Sequence, residues 1–484
     1  MTRAPTATPP AITFEELAGI PPVLIPRHFD LETLGYREAE FEARGQALAY
    51  RAVGRGGPGG LIAAEPARSA SFATRVLVRR PAAAAAFSGT VVVEWLNVSS
   101  GTDTAPEWDY LHRHIIRRGD AWVGVTAQKA GIDGGGIAEG VHLKRYKPQR
   151  YGHLSHPGDA FSFDVFNQVG QALRQRTSPL LGDLLAEQLL ATGESQSAAF
   201  LATYINAIDP LARTFDGFLL HGRPGTRGRL DGVFGPRVRD EHYDAAAHCP
   251  EPIRADARVP VLLLSSETDV TVLRNAAIGQ LDSDRVRLWE LPGASHADTY
   301  LLVASRADGG QLEASELARL LEPIQEFGIT TTEKPINSAP HQHYVAQAAL
   351  EHLTGWAGPG ETGEPPPVAP RLELGDDGSA LARDKRGNAV GGIRNPWVDA
   401  PIRVLSGEGQ RGDAFAFLMG TTEPLEPATI AGLYPRGAED YLAAFEASLE
   451  EAIAGGFILE VDRQEILAVA AETFRLALAG QAAR

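Results

Sequence analysis

Cysteine is all but missing from this sequence: Cys249 stands alone among 484 residues. A single thiol excludes an intramolecular disulfide and any zinc site built from cysteines. Positive charge is also short, with 45 Lys and Arg against 61 Asp and Glu, a net charge of −16. Such a surface repels phosphate backbones and anionic lipid, which argues against nucleic acid as a partner. No apolar run is long enough to span a bilayer. The first ten residues, rich in Thr and Pro, lack the apolar core of a secretion signal, so a cytoplasmic protein is expected. What is plentiful is apolar material, 44% of the chain, enough for a sizeable core.

Short apolar runs at 36–52, 73–80, 91–96, 121–126, 187–191, 215–220, 259–264 and 286–291 read as strands. Helical spacing lies between several of them, as at 161–173. Strands alternating with helices predict the α/β class, with a mostly parallel sheet covered on both faces. Residues 1–34 read as a leader and 35–356 as the core, with insertions at 223–258 and 304–327 read as caps. A Gly- and Pro-rich stretch at 358–367 then opens a C-terminal extension, 357–484, with helical patterns at 439–454 and 463–479.

Thr192-Gly193-Glu194-Ser195-Gln196-Ser197 falls between a strand-like run and a helix-like one. A nucleophile elbow needs this context, a sharp turn that lifts a serine hydroxyl above the sheet. Small flanking residues let the turn close, and here Ser197 stands where a second glycine is usual. The plain alternative is a helix N-cap. Two later runs favour the elbow. The run 260–264 is followed by Glu267 and Asp269, and the run 286–291 is followed by His296. A serine is a weak nucleophile until a base takes its proton, and the base needs an acid to orient it. Serine, acid and histidine, each after a strand and in that order, predict the α/β-hydrolase fold with Ser195 as nucleophile and His296 as base. Asp269 is the expected acid and Glu267 the alternative.

The oxyanion of acyl transfer needs backbone N–H donors. Gln196 is one candidate, and Asn97 or Val98, in the loop after the run 91–96, the other. Trp95 and Trp108 flank that loop and are candidates for a substrate wall, or for core aromatics. His341 is a competitor for the role of base.

These motifs resemble those of the alpha/beta hydrolase domain proteins. The matching segments are Glu94-Trp95-Leu96-Asn97, Gly193 to Ser197, Ser266 to Asp269, Gly293 to Asp298, Pro335 to His341, and Arg383 to Arg394. Within that family Gly-x-Ser-Gln-Ser is usual, which implies that Ser197 is compatible with the elbow. The resemblance implies a carboxylic-ester hydrolase that needs no cofactor and acts on a small-molecule ester. It also implies that the C-terminal part is integral, with a Gly-Gly-Ile-Arg loop near the active-site mouth. Arg394 would there bind a substrate carboxylate, or else serve as a structural ion pair.

Other patterns carry less. Gly54 to Gly59 fits a dinucleotide-binding spacing, but Pro58 and the short run after it supply no helix to face a pyrophosphate. His112 with His114, and His341 with His343, lack the spacing and the carboxylates of a metal site, so none is expected. The expected activity is ester hydrolysis through an acyl-enzyme. The rivals are an acyltransferase or lactonase on the same triad, and a binding protein that kept only the fold.

Overall fold

The computed structural model describes residues 12–19, 28–53, 63–135, 139–234, 251–328, 330–358, 363–376 and 378–482. The glycine stretch 54–59, Cys249, much of the 223–258 insertion and parts of the leader and of 358–367 lie outside the described residues.

Nine strands form the main sheet: β1 (Thr13–Glu16), β2 (Tyr36–Val53), β3 (Ala63–Pro81), β4 (Thr90–Trp95), β5 (Ala121–Val125), β6 (Gln188–Glu194), β7 (Gly217–His221), β8 (Val261–Ser266) and β9 (Val286–Leu291). Their order is β1-β2-β3-β5-β4-β6-β7-β8-β9. The first three pair antiparallel, as do β3 and β5, and every pairing from β5 through β4 to β9 is parallel. The strands β4 to β8 are buried along their whole length, which is why they read as continuous apolar runs.

The pleat divides those runs between two cores. Val91, Val93 and Trp95 join Phe163, Phe166 and Phe200 on one face. Val92, Leu96, Leu262 and Leu264 face the other way, toward Trp289, Tyr344 and Leu350. The second core also takes Tyr441, Phe445 and Leu449 of the helix Ala438–Ala454, and Ile466, Val469 and Phe474 of the helix Arg463–Ala482. The extension thus shares a core with the sheet.

One helix escapes the sequence reading. His341–Trp356 is helical over 16 residues and is absent from the elements that the sequence predicts. It is buried nearly all round, so it carries no apolar stripe to betray it. The 304–327 insertion comprises a short turn at Ala304–Arg306, the helix Ala314–Leu320 and an edge strand at Glu326–Phe327. Among the described residues no helix is long and apolar enough to cross a membrane.

Candidate active site

The parallel strands set their C-terminal ends side by side, and the chemistry-bearing residues gather there. β6 ends at Glu194, and the helix Gln196–Thr203 starts one residue after Ser195. Ser195 itself has φ 60° and ψ −120°, a left-handed backbone that a side-chain-bearing residue seldom adopts. Its N–H is tied to His221 O at 2.9 Å. Strand and helix approach so closely that a Cβ at Gly193 would lie 2.9 Å from Ser197 Cβ, so glycine is needed there. Ser197 fits the closed turn and donates to Leu96 O at 3.3 Å. Among the described residues the Ser195 side chain has no hydrogen-bond partner, and it makes no capping bond.

After β8, Ser266 and Asp269 cap each other's backbone over Glu267–Val270. Asp269 Oδ2 accepts from Ser266 N at 2.6 Å and Oγ at 2.7 Å, which leaves Oδ1 to meet His296 Nδ1 at 2.6 Å. His296 follows β9 and rests against Gly222, whose φ of +57° and missing Cβ leave room for the ring. Its other nitrogen, Nε2, lies 2.8 Å from Glu194 Oε1. In the sequence Glu194 is only the x of Gly-x-Ser-Gln-Ser. Its position, last in a parallel strand and next to the serine, is the signal that marks it. Burial opposes charge on His296, but the Glu194 and Asp269 carboxylates outweigh it and hold the imidazole up at about 10.

Asn97 has a different part from the one expected. Its backbone N–H donates to Thr104 O at 2.9 Å, and its side-chain amide donates to Glu194 O at 2.9 Å and Oε2 at 3.1 Å. Val98 N–H has no acceptor among the described residues. Gln196 N–H, at the first turn of its helix, has no acceptor within the helix.

Glu267 is turned away from the imidazole. It is fully buried and accepts from Gly293 N at 2.6 Å, Gly407 N at 2.9 Å and Arg383 Nη2 at 2.8 Å. Arg394 is bonded to Asp399 at 2.8 Å and to Ala389 O at 3.1 Å, and it does not line the cleft beside Ser195. His341 is buried at the start of its helix, held to Pro292 O at 3.0 Å, and burial pushes it down to about 4. Trp95 packs among Phe163, Phe166 and Phe200, while Trp108 lies against Trp122 and under Arg79.

Neither tryptophan reaches the cleft of about 220 Å³ that Ser195, Glu194 and His296 share. Its apolar walls are Leu301, Leu302 and Phe327, from the segment after His296, and Phe415 and Leu418, from the C-terminal part. Asp109 and Arg306 line it too, and burial pushes Asp109 up to about 7. Among the described residues no group of three or more His, Cys, Asp or Glu side chains is gathered as a metal ion requires.

No curated protein matches the chain. Solved structures resemble it weakly. XC6422 from Xanthomonas campestris, a serine hydrolase without a lid, is 14% identical, covers 51% of this chain and 86% of its own, and has a TM-score of 0.28. A fungal esterase from Rhizomucor miehei is 14% identical, covers 62% of this chain and 92% of its own, and scores 0.30. A family described as an alpha/beta hydrolase domain matches residues 5–468, nearly the whole chain. The chain belongs to that alpha/beta hydrolase family, and it has that family's fold.

Proposed function

We propose that the protein is a serine hydrolase that cleaves a carboxylic ester through an acyl-enzyme on Ser195, His296 and Asp269. The observation that carries the reading is the Asp269 Oδ1 to His296 Nδ1 contact of 2.6 Å, with His296 lining a cleft beside a serine at φ 60°. In the proposed reaction His296 takes the Ser195 proton through Nε2, and the serine oxygen attacks the ester carbonyl. The N–H groups of Gln196 and Val98 are the donors proposed for the oxyanion. Asp269 keeps the imidazolium in place, and the imidazolium then protonates the leaving alcohol. Water repeats the sequence and frees the acid. The apolar walls of Leu301, Leu302, Phe327, Phe415 and Leu418 favour an acyl or alcohol part that is itself apolar.

The test is labelling by a fluorophosphonate, with the site located by mass, beside hydrolysis of nitrophenyl esters of rising chain length. Labelling at Ser195 and turnover, both lost in Ser195→Ala, are expected. A well-folded sample with neither labelling nor turnover overturns the reading.

A further inference from the structure

The free protein has its base occupied. His296 lies between two carboxylates, with Nδ1 2.6 Å from Asp269 and Nε2 2.8 Å from Glu194. A neutral imidazole has one N–H and one lone pair, so it can donate to only one of them. The other partners of the two acids leave one oxygen of each for the ring. Asp269 Oδ2 already accepts two hydrogen bonds, from Ser266 N and Oγ. Glu194 Oε2 accepts from the Asn97 amide at 3.1 Å. A ring that carries both N–H groups donates to both acids at once, which a neutral ring facing two carboxylates cannot do. Both protons then sit on the ring. All three side chains are buried, so water screens the cluster little.

An imidazolium cannot take a proton from Ser195, and here Nε2, the atom that must do so, faces Glu194. We propose that Glu194 is a positioning residue that acts through His296: in the free protein it holds the ring protonated and turned from Ser195, and release of Nε2 from Glu194 is what arms the base. The inference rests on the reading of Ser195 and His296 as nucleophile and base. Proton balance is simple. The clamped ring loses its Nε2 proton to solvent, and the neutral ring then accepts the Ser195 proton at that same nitrogen.

Charged and titratable neighbours come from each element packed around the ring. Glu194 stands on β6 and Asp269 on the turn after β8. His221, on β7, has Nδ1 3.4 Å from Glu107 and its ring against Tyr110, both on the helix Pro106–Arg118. Asp298 lies two residues beyond His296, and Asp109 and Arg306 share the cleft. Of these, only Glu194 and Asp269 form ion pairs with the imidazole among the described residues. Asn97 fixes Glu194 at both its carbonyl and its carboxylate, so the clamp is held from the loop after β4.

The experiment compares wild type, Glu194→Gln and Glu194→Asp by the pH profile of kcat/KM on nitrophenyl acetate and by the pH dependence of fluorophosphonate labelling. kcat/KM reports groups of the free enzyme. Glu194→Gln is expected to move the acid limb of both profiles down by about one pH unit or more, a tenfold gain in neutral imidazole below the limb. Glu194→Asp, which keeps the charge, is expected to stay nearer the wild-type limb. An unmoved limb in Glu194→Gln, with only the plateau lowered, overturns the proposal and leaves Glu194 a structural residue. Proton NMR of the wild type makes a second measurement that needs no variant. A doubly protonated His296 with its Nε2 proton protected at pH 8 is expected, and a neutral ring at that pH overturns the proposal. If Ser195 does not label at all, the triad reading has failed, and the NMR result still decides the clamp.

Discussion

Gly222 has no side chain, and the imidazole of His296 occupies the space that one would take. An added Cβ would lie 3.0 Å from His296 Cε1 and Nδ1 and 3.5 Å from Asp269 Oδ1, at a backbone φ of +57°. Gly222→Ala is expected to fold with a lowered Tm, since the left-handed backbone costs about 1–2 kcal/mol with a side chain present. Its kcat on nitrophenyl acetate is expected to fall about a hundredfold, because a shift of the base by a fraction of an ångström is amplified in the reaction. An unchanged kcat would mean that the ring does not depend on that gap. Asp269→Asn, which holds the wrong tautomer, is expected to lose on the order of a thousandfold or more in kcat with little loss of Tm. The His296 cluster also gives stability a sign with pH. A ring held above its ordinary 6.5, at about 10, binds its proton more tightly folded than unfolded. That stabilisation is complete below about 6.5 and is lost as pH rises through about 10, while activity, which needs the neutral ring, rises over the same window. Tm followed from pH 6.5 to 10 is expected to fall less in Glu194→Gln than in wild type. The meeting of Asp269 and His296 beside Ser195 was legible because each follows a strand in a known order. The contacts of Gly222 and Glu194 with the ring were not, because they depend on four strand ends meeting in space.

The elements around the site explain which parts of the sequence spoke and which stayed silent. β9 runs from Val286 to Leu291, as its apolar run predicts, and β4 and β8 lie within two residues of theirs. Such strands are legible because both faces are buried and the whole run is apolar. The helix His341–Trp356 was silent for the related reason that its polar residues, Gln342, His343 and Gln347, are buried too. The segments Pro335 to His341 and Arg383 to Arg394, which resemble the family, brace the loop that carries His296. Asn337 Nδ2 donates to Gly293 O at 2.9 Å, and Asn337 O accepts from Thr299 N at 2.8 Å. Glu267 joins Gly293 on that loop to Gly407 and Arg383 of the C-terminal part. Removing its charge takes one of two carboxylates from Arg383, which keeps Glu408, and sets an amide NH2 against the N–H of Gly293 or Gly407, a loss of about 1–3 kcal/mol. Glu267→Gln is therefore expected to lower the denaturation midpoint strongly, and to keep the wild-type pH profile in whatever fraction stays folded. A stable Glu267→Gln with activity reduced as far as in Asp269→Asn would move the role of acid to Glu267.

At the scale of the whole molecule, the residues after Trp356 complete both the core and the site. Phe457 meets the ring of Trp289 at 5.1 Å, and Trp397 packs between Tyr344 and Phe445. Leu418 O holds Ala297 N at 3.0 Å, next to the imidazole, and Phe415 and Leu418 wall the cleft. Compositional breaks near 358–367 suggested a boundary, yet composition does not report which surfaces are later covered. Cutting the chain after Trp356 would strip Phe457 from Trp289 and Trp397 from Tyr344, uncovering the apolar residues of the second core, and remove the Gly407 and Arg383 partners of buried Glu267. Exposed apolar area of that kind drives association, so the 1–356 fragment is expected to aggregate, or to bind a hydrophobic dye with its near-ultraviolet circular dichroism lost. It is also expected to resist fluorophosphonate, since the His296 loop would have lost the contacts that fix it. A monomeric 1–356 fragment that unfolds in one transition and still labels at Ser195 would show instead that the C-terminal part is a separable layer on a core able to stand alone.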